Sequence, residues 1–108
     1  MIDKRDVQAF FGRLAPEWDA GLVRNETVIG RILDNAGVQQ GCRVLDVACG
    51  TGVLFGDYLR RGTAQVTAID LSPEMAARAA EKAAGTQITV LCGDVEADPA
   101  VRAGAPYD

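Results

Sequence analysis

Val44-Leu45-Asp46-Val47-Ala48-Cys49-Gly50-Thr51-Gly52-Val53 decides how the rest of the chain is read. Its first half is apolar and β-friendly around a single aspartate. Gly50 and Gly52 then break the run, and a helical pattern opens at Val53-Leu54-Phe55 and continues to Arg61. Strand, tight Gly-x-Gly turn and helix in that order make the first half of a βαβ unit. Glycine at these two positions lets a ligand approach the backbone where a Cβ would block it. The helix N-terminus behind the turn offers unpaired N–H groups and a positive dipole end, which suits an anionic group.

Downstream, the pattern repeats. Arg60-Arg61-Gly62 is a helix stop, and Gln65 to Ile69 is a second strand closed by Asp70. Ser72 as N-cap and Pro73 at the first helical position start a helix that runs through alanine-rich sequence to Ala84 and stops at Gly85. Gln87 to Cys92 is a third strand, closed by Gly93-Asp94. Val95 to Asp108 carries Pro99 and Pro106 and reads as a loop or short helix, with Ala105 to Asp108 as the lead-in to a further strand.

Upstream, Asp3 caps a helix whose face is Val7, Phe10, Phe11 and Leu14, and Pro16 ends it. A loop from Pro16 to Gly21 carries Trp18. A helix over Leu22 to Ala36 follows, with Val28, Ile29, Ile32, Leu33 and Ala36 inward and Gly37 past its end. The reading is therefore one α/β domain: a helical segment over residues 1–40, then a βαβαβ core over 41–108. The core is a Rossmann-like parallel sheet with flanking helices and right-handed crossovers. The first strand, Arg43 to Ala48, is nearly all apolar, as expected of a strand covered on both faces.

Composition removes several classes of function. The net charge is −4, from 11 basic and 15 acidic residues, and no basic cluster occurs, which argues against nucleic acid and anionic membrane as partners. No run is long enough to span a bilayer, and the charged N-terminus lacks a signal-peptide core, so a cytoplasmic location is expected. The three cysteines, Cys42, Cys49 and Cys92, form no Cys-x-x-Cys pair and read as isolated thiols. The chain contains no histidine, which excludes Ser-His-Asp, Cys-His and His-based zinc chemistry within it, and no metal is expected.

Asp46, Asp70 and Asp94 stand at the carboxyl ends of the three strands, where parallel sheets bind ligands. Any one alone reads as a cap or turn former; the set reads as a site. Asp70 lies eighteen positions after Gly52, the placement of an acid that takes both ribose hydroxyl protons of a nucleotide. Two cofactor classes compete. The dinucleotide fingerprint needs a third glycine where Phe55 stands, and its pyrophosphate would meet Asp46 with the wrong sign. An adenosyl cofactor with a cationic sulfonium and ammonium suits Asp46, so charge matching favours S-adenosylmethionine over NAD.

Val44 to Gly52 resembles the first motif of class I S-adenosylmethionine-dependent methyltransferases. Thr67 to Met75 is similar to their second motif, Cys92 to Glu96 to their third, and Phe10 to Asp19 to the N-terminal segment of the small-molecule branch that includes quinone-biosynthesis enzymes. The resemblance implies that Asp46, Ala48, Gly50 and Gly52 border the methionine part of the cofactor. It implies that Asp70 holds the ribose, that Leu71 and Met75 pack on the adenine, and that Asp94 and the Val95 N–H meet the adenine edge. Trp18 would either close over the cofactor or pack in the core, and Met75 without the likeness reads as core. Ala48 stands where the family often has glycine. The family's sheet has seven strands, and this chain supplies motifs for three, so the expected domain is truncated. The expected function is methyl transfer to a small molecule, with this chain as the cofactor-binding half and no catalytic base in it. The alternative is a non-catalytic binding module. Self-association or a missing C-terminal half is expected to cover the unpaired edge of the first strand.

Overall fold

The computed structural model describes residues 24–108. The expected helix over residues 3–14, the loop to Gly21 and Trp18 lie outside the described residues. Three strands, β1 (Arg43–Val47), β2 (Gln65–Asp70) and β3 (Ile88–Cys92), form one parallel sheet in the order β1-β2-β3. Among the described residues four helices accompany them: α1 (Glu26–Asn35), α2 (Phe55–Arg60), α3 (Pro73–Ala83) and α4 (Pro99–Ala103). The strands run parallel because each pair is joined through a helix rather than a hairpin. The expected Rossmann-like α/β core is therefore what forms. No helix among the described residues is long and apolar enough to cross a membrane.

The ends of α3 follow from single residues. The Met75 N–H donates to the Ser72 hydroxyl at 3.3 Å, Pro73 opens the helix, and Gly85 beyond its end sits at φ 78°. Its buried face is Met75, Ala76, Ala79 and Ala83. Alanine there lets the helix lie close against the sheet.

α1 starts at Glu26 rather than Leu22 because Asn25 caps it: the Val28 N–H donates to Asn25 Oδ1 at 3.1 Å. It ends in a Schellman motif. The Gly37 N–H donates to Asp34 O at 3.1 Å and the Val38 N–H to Leu33 O at 3.0 Å, with Gly37 at φ 78°. Its inward stripe is narrower than expected. Leu33 is buried and Ile29 packs on the core, but Val28 is 49% exposed, Ile32 is 57% exposed and Ala36 is exposed. Neighbouring helical residues point about 100° apart, so Ile29 and Leu33 share a direction that Val28 and Ile32 do not.

Register fixes which side chains share a face. Val44, Val66 and Ile88 align, and Asp46, Ala68 and Val90 align one pleat further on. This face carries the core: the apolar residues just named, with Leu33, Val38, Phe55, Tyr58, Ala79 and Ala83. The opposite face presents Thr67 and Ile69, both buried. α4 and the segment after it lie there, and a Cβ on Gly104 would meet Thr67 Oγ1 at 3.0 Å and the Tyr107 hydroxyl at 2.6 Å. The central strand is β2, with Val66 to Ile69 buried. β1 is only half-buried and Val47 is 52% exposed, so the expectation of a first strand covered on both faces holds for β2 instead. Composition alone does not tell a central strand from an outer one. On the side of β1 turned from β2, the Asp108 N–H donates to Arg43 O at 2.9 Å and the Arg43 N–H to Asp108 Oδ2 at 2.8 Å. The lead-in expected at Ala105 to Asp108 therefore lies beside the start of β1.

One ionic cluster ties the residue just before the α1 cap to α2. Arg24 Nη1 donates to Val53 O at 2.6 Å and Nη2 to Asp57 Oδ2 at 2.8 Å, while Arg60 Nη2 donates to Asp57 Oδ1 at 2.9 Å. Burial pushes the Asp57 carboxyl up, but the hydrogen bonds from Arg24 and then Arg60 outweigh it and hold the carboxyl below its ordinary value. A lowered carboxyl contributes stability that is complete above its unfolded value, about 4, and is lost as pH falls through the folded value. Asp57→Asn is expected to cost about 1–3 kcal/mol at neutral pH and to flatten the acid limb of the stability profile. Urea midpoints from pH 2 to 7 check this; parallel profiles for variant and wild type would refute it.

Candidate functional site

The turn after β1 is built from left-handed residues. Ala48 has φ 58°, Gly50 60° and Gly52 82°. Ala48 is the sole non-glycine residue with positive φ among the described residues, at the position where a glycine would carry no steric cost. The Gly52 N–H donates to Cys49 O and the Phe55 N–H to Gly52 O, both at 3.1 Å. These turns delay α2 to Phe55, two residues after the expected start at Val53. α2 is six residues long, and Leu54 caps it without a side-chain hydrogen bond. The Gly52 and Phe55 N–H groups, expected to be open to an anion behind the turn, are instead taken up by the turn itself. Gly52 also has a different reason from the expected one. A Cβ there would lie 2.6 Å from Phe55 Cδ2, so the space is held by the chain's own ring rather than kept for a ligand.

Asp70 joins this turn to the next one. The Gly50 N–H donates to Asp70 Oδ2 at 2.8 Å and the Ser72 N–H to Asp70 Oδ1 at 2.9 Å. The Gly93 N–H donates to Asp70 O at 2.9 Å, and the Cys49 N–H to Ile69 O at 3.1 Å. One residue therefore draws together the segments that follow β1, β2 and β3.

Asp46 is the second acid. It lies on the same sheet face as Asp70, since it aligns with Ala68 and Ala68 and Asp70 are two apart on one strand. The Tyr58 hydroxyl donates to Asp46 Oδ2 at 3.0 Å. Burial pushes the Asp46 carboxyl up, the Tyr58 bond pulls it down, and the charge of Asp70 pushes it up again; the outcome is above the ordinary value. The same surroundings act on two neighbours. Burial, with Asp46 and Asp70, pushes the Cys49 thiol up to about 12, so it is an inert buried thiol. Burial and Asp46 push the Tyr58 phenol up as well, so it stays protonated and remains a donor.

The third acid, Asp94, sits two residues beyond β3 and serves its own turn: Oδ1 accepts from the Glu96 N–H at 3.0 Å, and its carbonyl accepts from Ala97 and Asp98. The three acids form a staircase rather than a level rim. Asp46 aligns with Ala68, Asp70 with Cys92 two residues further along, and Asp94 two residues beyond that. Leu71 and Val95 are half-buried and Ala48 is exposed. Met75 is 1% exposed, so a ligand would have to uncover it to touch it. Tyr58 and the Ser72 N–H were not legible as parts of this arrangement. Tyr58 falls within the helical pattern that runs to Arg61, and nothing in that pattern marks its hydroxyl.

Residues 44–108 match the family model for the methyltransferase domain. This chain belongs to the methyltransferase domain family. Among curated relatives, this methyltransferase domain is 38% identical over 98 residues to malonyl-(acyl-carrier protein) O-methyltransferase of Erwinia pyrifoliae, which covers 91% of this chain and 36% of that protein. It is 46% identical over 67 residues to ubiquinone biosynthesis O-methyltransferase of Xanthomonas axonopodis pv. citri, covering 60% of this chain and 28% of that protein. The methyltransferase domain here thus spans about a third of the length of these relatives. Among solved structures, magnesium protoporphyrin IX methyltransferase of Synechocystis PCC 6803, with bound S-adenosylmethionine, superposes with a TM-score of 0.67 at 21% identity over 91% of this chain and 57% of that one. At that identity the likeness shows a shared fold.

Proposed function

We propose that the turn after β1 and the ends of β2 and β3 hold S-adenosylmethionine for methyl transfer to a small-molecule acceptor. The observation that carries this reading is the Asp70 carboxylate spanning Gly50 and Ser72 beside the half-buried Asp46. The donor set fits the cofactor. An ionised carboxylate has about four acceptor positions, and the two backbone N–H groups use one on each oxygen. One position on each oxygen is left for the two ribose hydroxyls. Asp46 supplies negative charge in a partly desolvated place, where a cation is attracted more strongly than in water. Leu71, Asp94 and Val95 lie next along the strand ends and would meet the adenine.

When bound, the cofactor supplies the transferable methyl group. The chain contributes binding and orientation for an in-line displacement, which is where proximity lowers the barrier. Kinship with an O-methyltransferase of ubiquinone biosynthesis supports a small acceptor, and kinship with malonyl-(acyl-carrier protein) O-methyltransferase supports a small acyl group held on a carrier. No residue among 44–95 is placed as a base for it, so the chain is read as the cofactor-binding part of the enzyme. Calorimetric titration of the chain with S-adenosylhomocysteine and with NAD tests this. Binding of the first and not the second is expected; NAD binding tighter than S-adenosylhomocysteine would overturn the assignment.

A further inference from the structure

We propose that Tyr58 is the positioning residue for Asp46: its hydroxyl holds Oδ2 and leaves Oδ1 of the carboxylate for the cationic end of the cofactor. The inference rests on the cofactor reading above and adds a residue that none of the motifs contains. Tyr58 is 3% exposed and lies within the apolar core. A buried phenol needs a hydrogen-bond partner, and Asp46 is the one it has, at 3.0 Å. Phenylalanine would fill the same space, so what the hydroxyl adds is felt at Asp46. The donor is itself fixed. Its ring lies 6.5 Å from that of Phe55 at 37°, and the Thr63 hydroxyl donates to the Tyr58 carbonyl at 3.1 Å.

The electrostatics give this bond a purpose. Among the described residues, the titratable groups facing Asp46 are Tyr58 on α2, Cys49 in the turn and Asp70 at the end of β2, with Asp57 acting on Tyr58 from its own helix. Burial and Asp70 favour the neutral acid, whereas the Tyr58 hydroxyl favours the carboxylate. A cationic ligand requires the carboxylate. Tyr58 therefore both aims Asp46 and widens the pH range over which it can receive the cofactor.

The test is Tyr58→Phe in the full chain, titrated calorimetrically with S-adenosylmethionine and S-adenosylhomocysteine from pH 3 to 8. Wild-type affinity is expected to fall on the acid side as Asp46 protonates. In the variant the fall should begin about one pH unit higher, with affinity reduced about tenfold on the acid side and rejoining wild type at alkaline pH. Equal loss at every pH, or none, overturns the inference. A wild-type chain that binds neither ligand overturns the cofactor reading, and the role of Tyr58 falls with it.

A second readout needs no substitution at Tyr58. With tyrosine labelled at the ζ-carbon, the chain gives two NMR signals, from Tyr58 and Tyr107, told apart by Tyr107→Phe. The Tyr58 signal should titrate with Asp46, and its midpoint should drop when S-adenosylmethionine is added. A Tyr58 signal unmoved by acid overturns the inference.

Discussion

Asp70→Ala should reduce affinity for S-adenosylhomocysteine by about 10- to 100-fold, because hydrogen bonds to a charged group are worth about 1.5–3 kcal/mol. The same substitution strips the Gly50 and Ser72 N–H groups of their acceptor. Each orphaned donor costs about 1–3 kcal/mol unless water reaches it, so the thermal midpoint should fall together with the affinity. Asp70→Asn separates the two effects. It keeps one oxygen for a backbone N–H but turns an NH2 toward the other, so its stability should lie between wild type and alanine. Calorimetry for binding and a melting curve for stability check both. A folded Asp70→Ala chain with wild-type affinity would remove the ribose assignment.

Gly52→Ala should be the most destabilising single-methyl change in the turn. At φ 82° an alanine is in the left-handed region, which costs about 1–2 kcal/mol. Its Cβ would also stand 2.6 and 2.7 Å from Phe55 Cδ2 and Cε2, and overpacking of that kind costs about 1–3 kcal/mol. The total of about 2–5 kcal/mol is a large share of the 5–15 kcal/mol typical of a domain. Phe55→Leu in the same chain should return the steric part and leave the backbone part. Urea denaturation of the single and double variants measures each. A Gly52→Ala chain within about 0.5 kcal/mol of wild type would show that the ring and turn shift freely.

What could be read from the sequence was what local chemistry dictates. Ser72-Pro73, Gly37, Gly62 and Gly85 placed helix ends because caps and positive φ are local needs. The alternation of strands and helices gave the parallel sheet. Asp46, Asp70 and Asp94 fell toward the carboxyl ends of successive strands because parallel strands point the same way. Tertiary facts were less accessible. Val28 and Ile32 carry the same apolar signal as Ile29 and Leu33, and only the position of α1 on the sheet separates them. Val53 and Leu54 open a helical pattern, yet Gly52 and its turn hydrogen bonds postpone the helix to Phe55. The bond from Tyr58 to Asp46 joins α2 to β1, and nothing in a pattern of apolar positions announces a hydroxyl's destination.

The turn after β1 alternates strictly. Its even positions, Ala48, Gly50 and Gly52, hold the unusual backbone angles, while the odd positions Cys49 and Thr51 bury their side chains. Shape and support are thus written in separate letters of one word. Exchanges at 49 or 51 act on the bend from underneath, at the packing that supports it, and a designer seeking slower or faster cofactor exchange has those two places to work with.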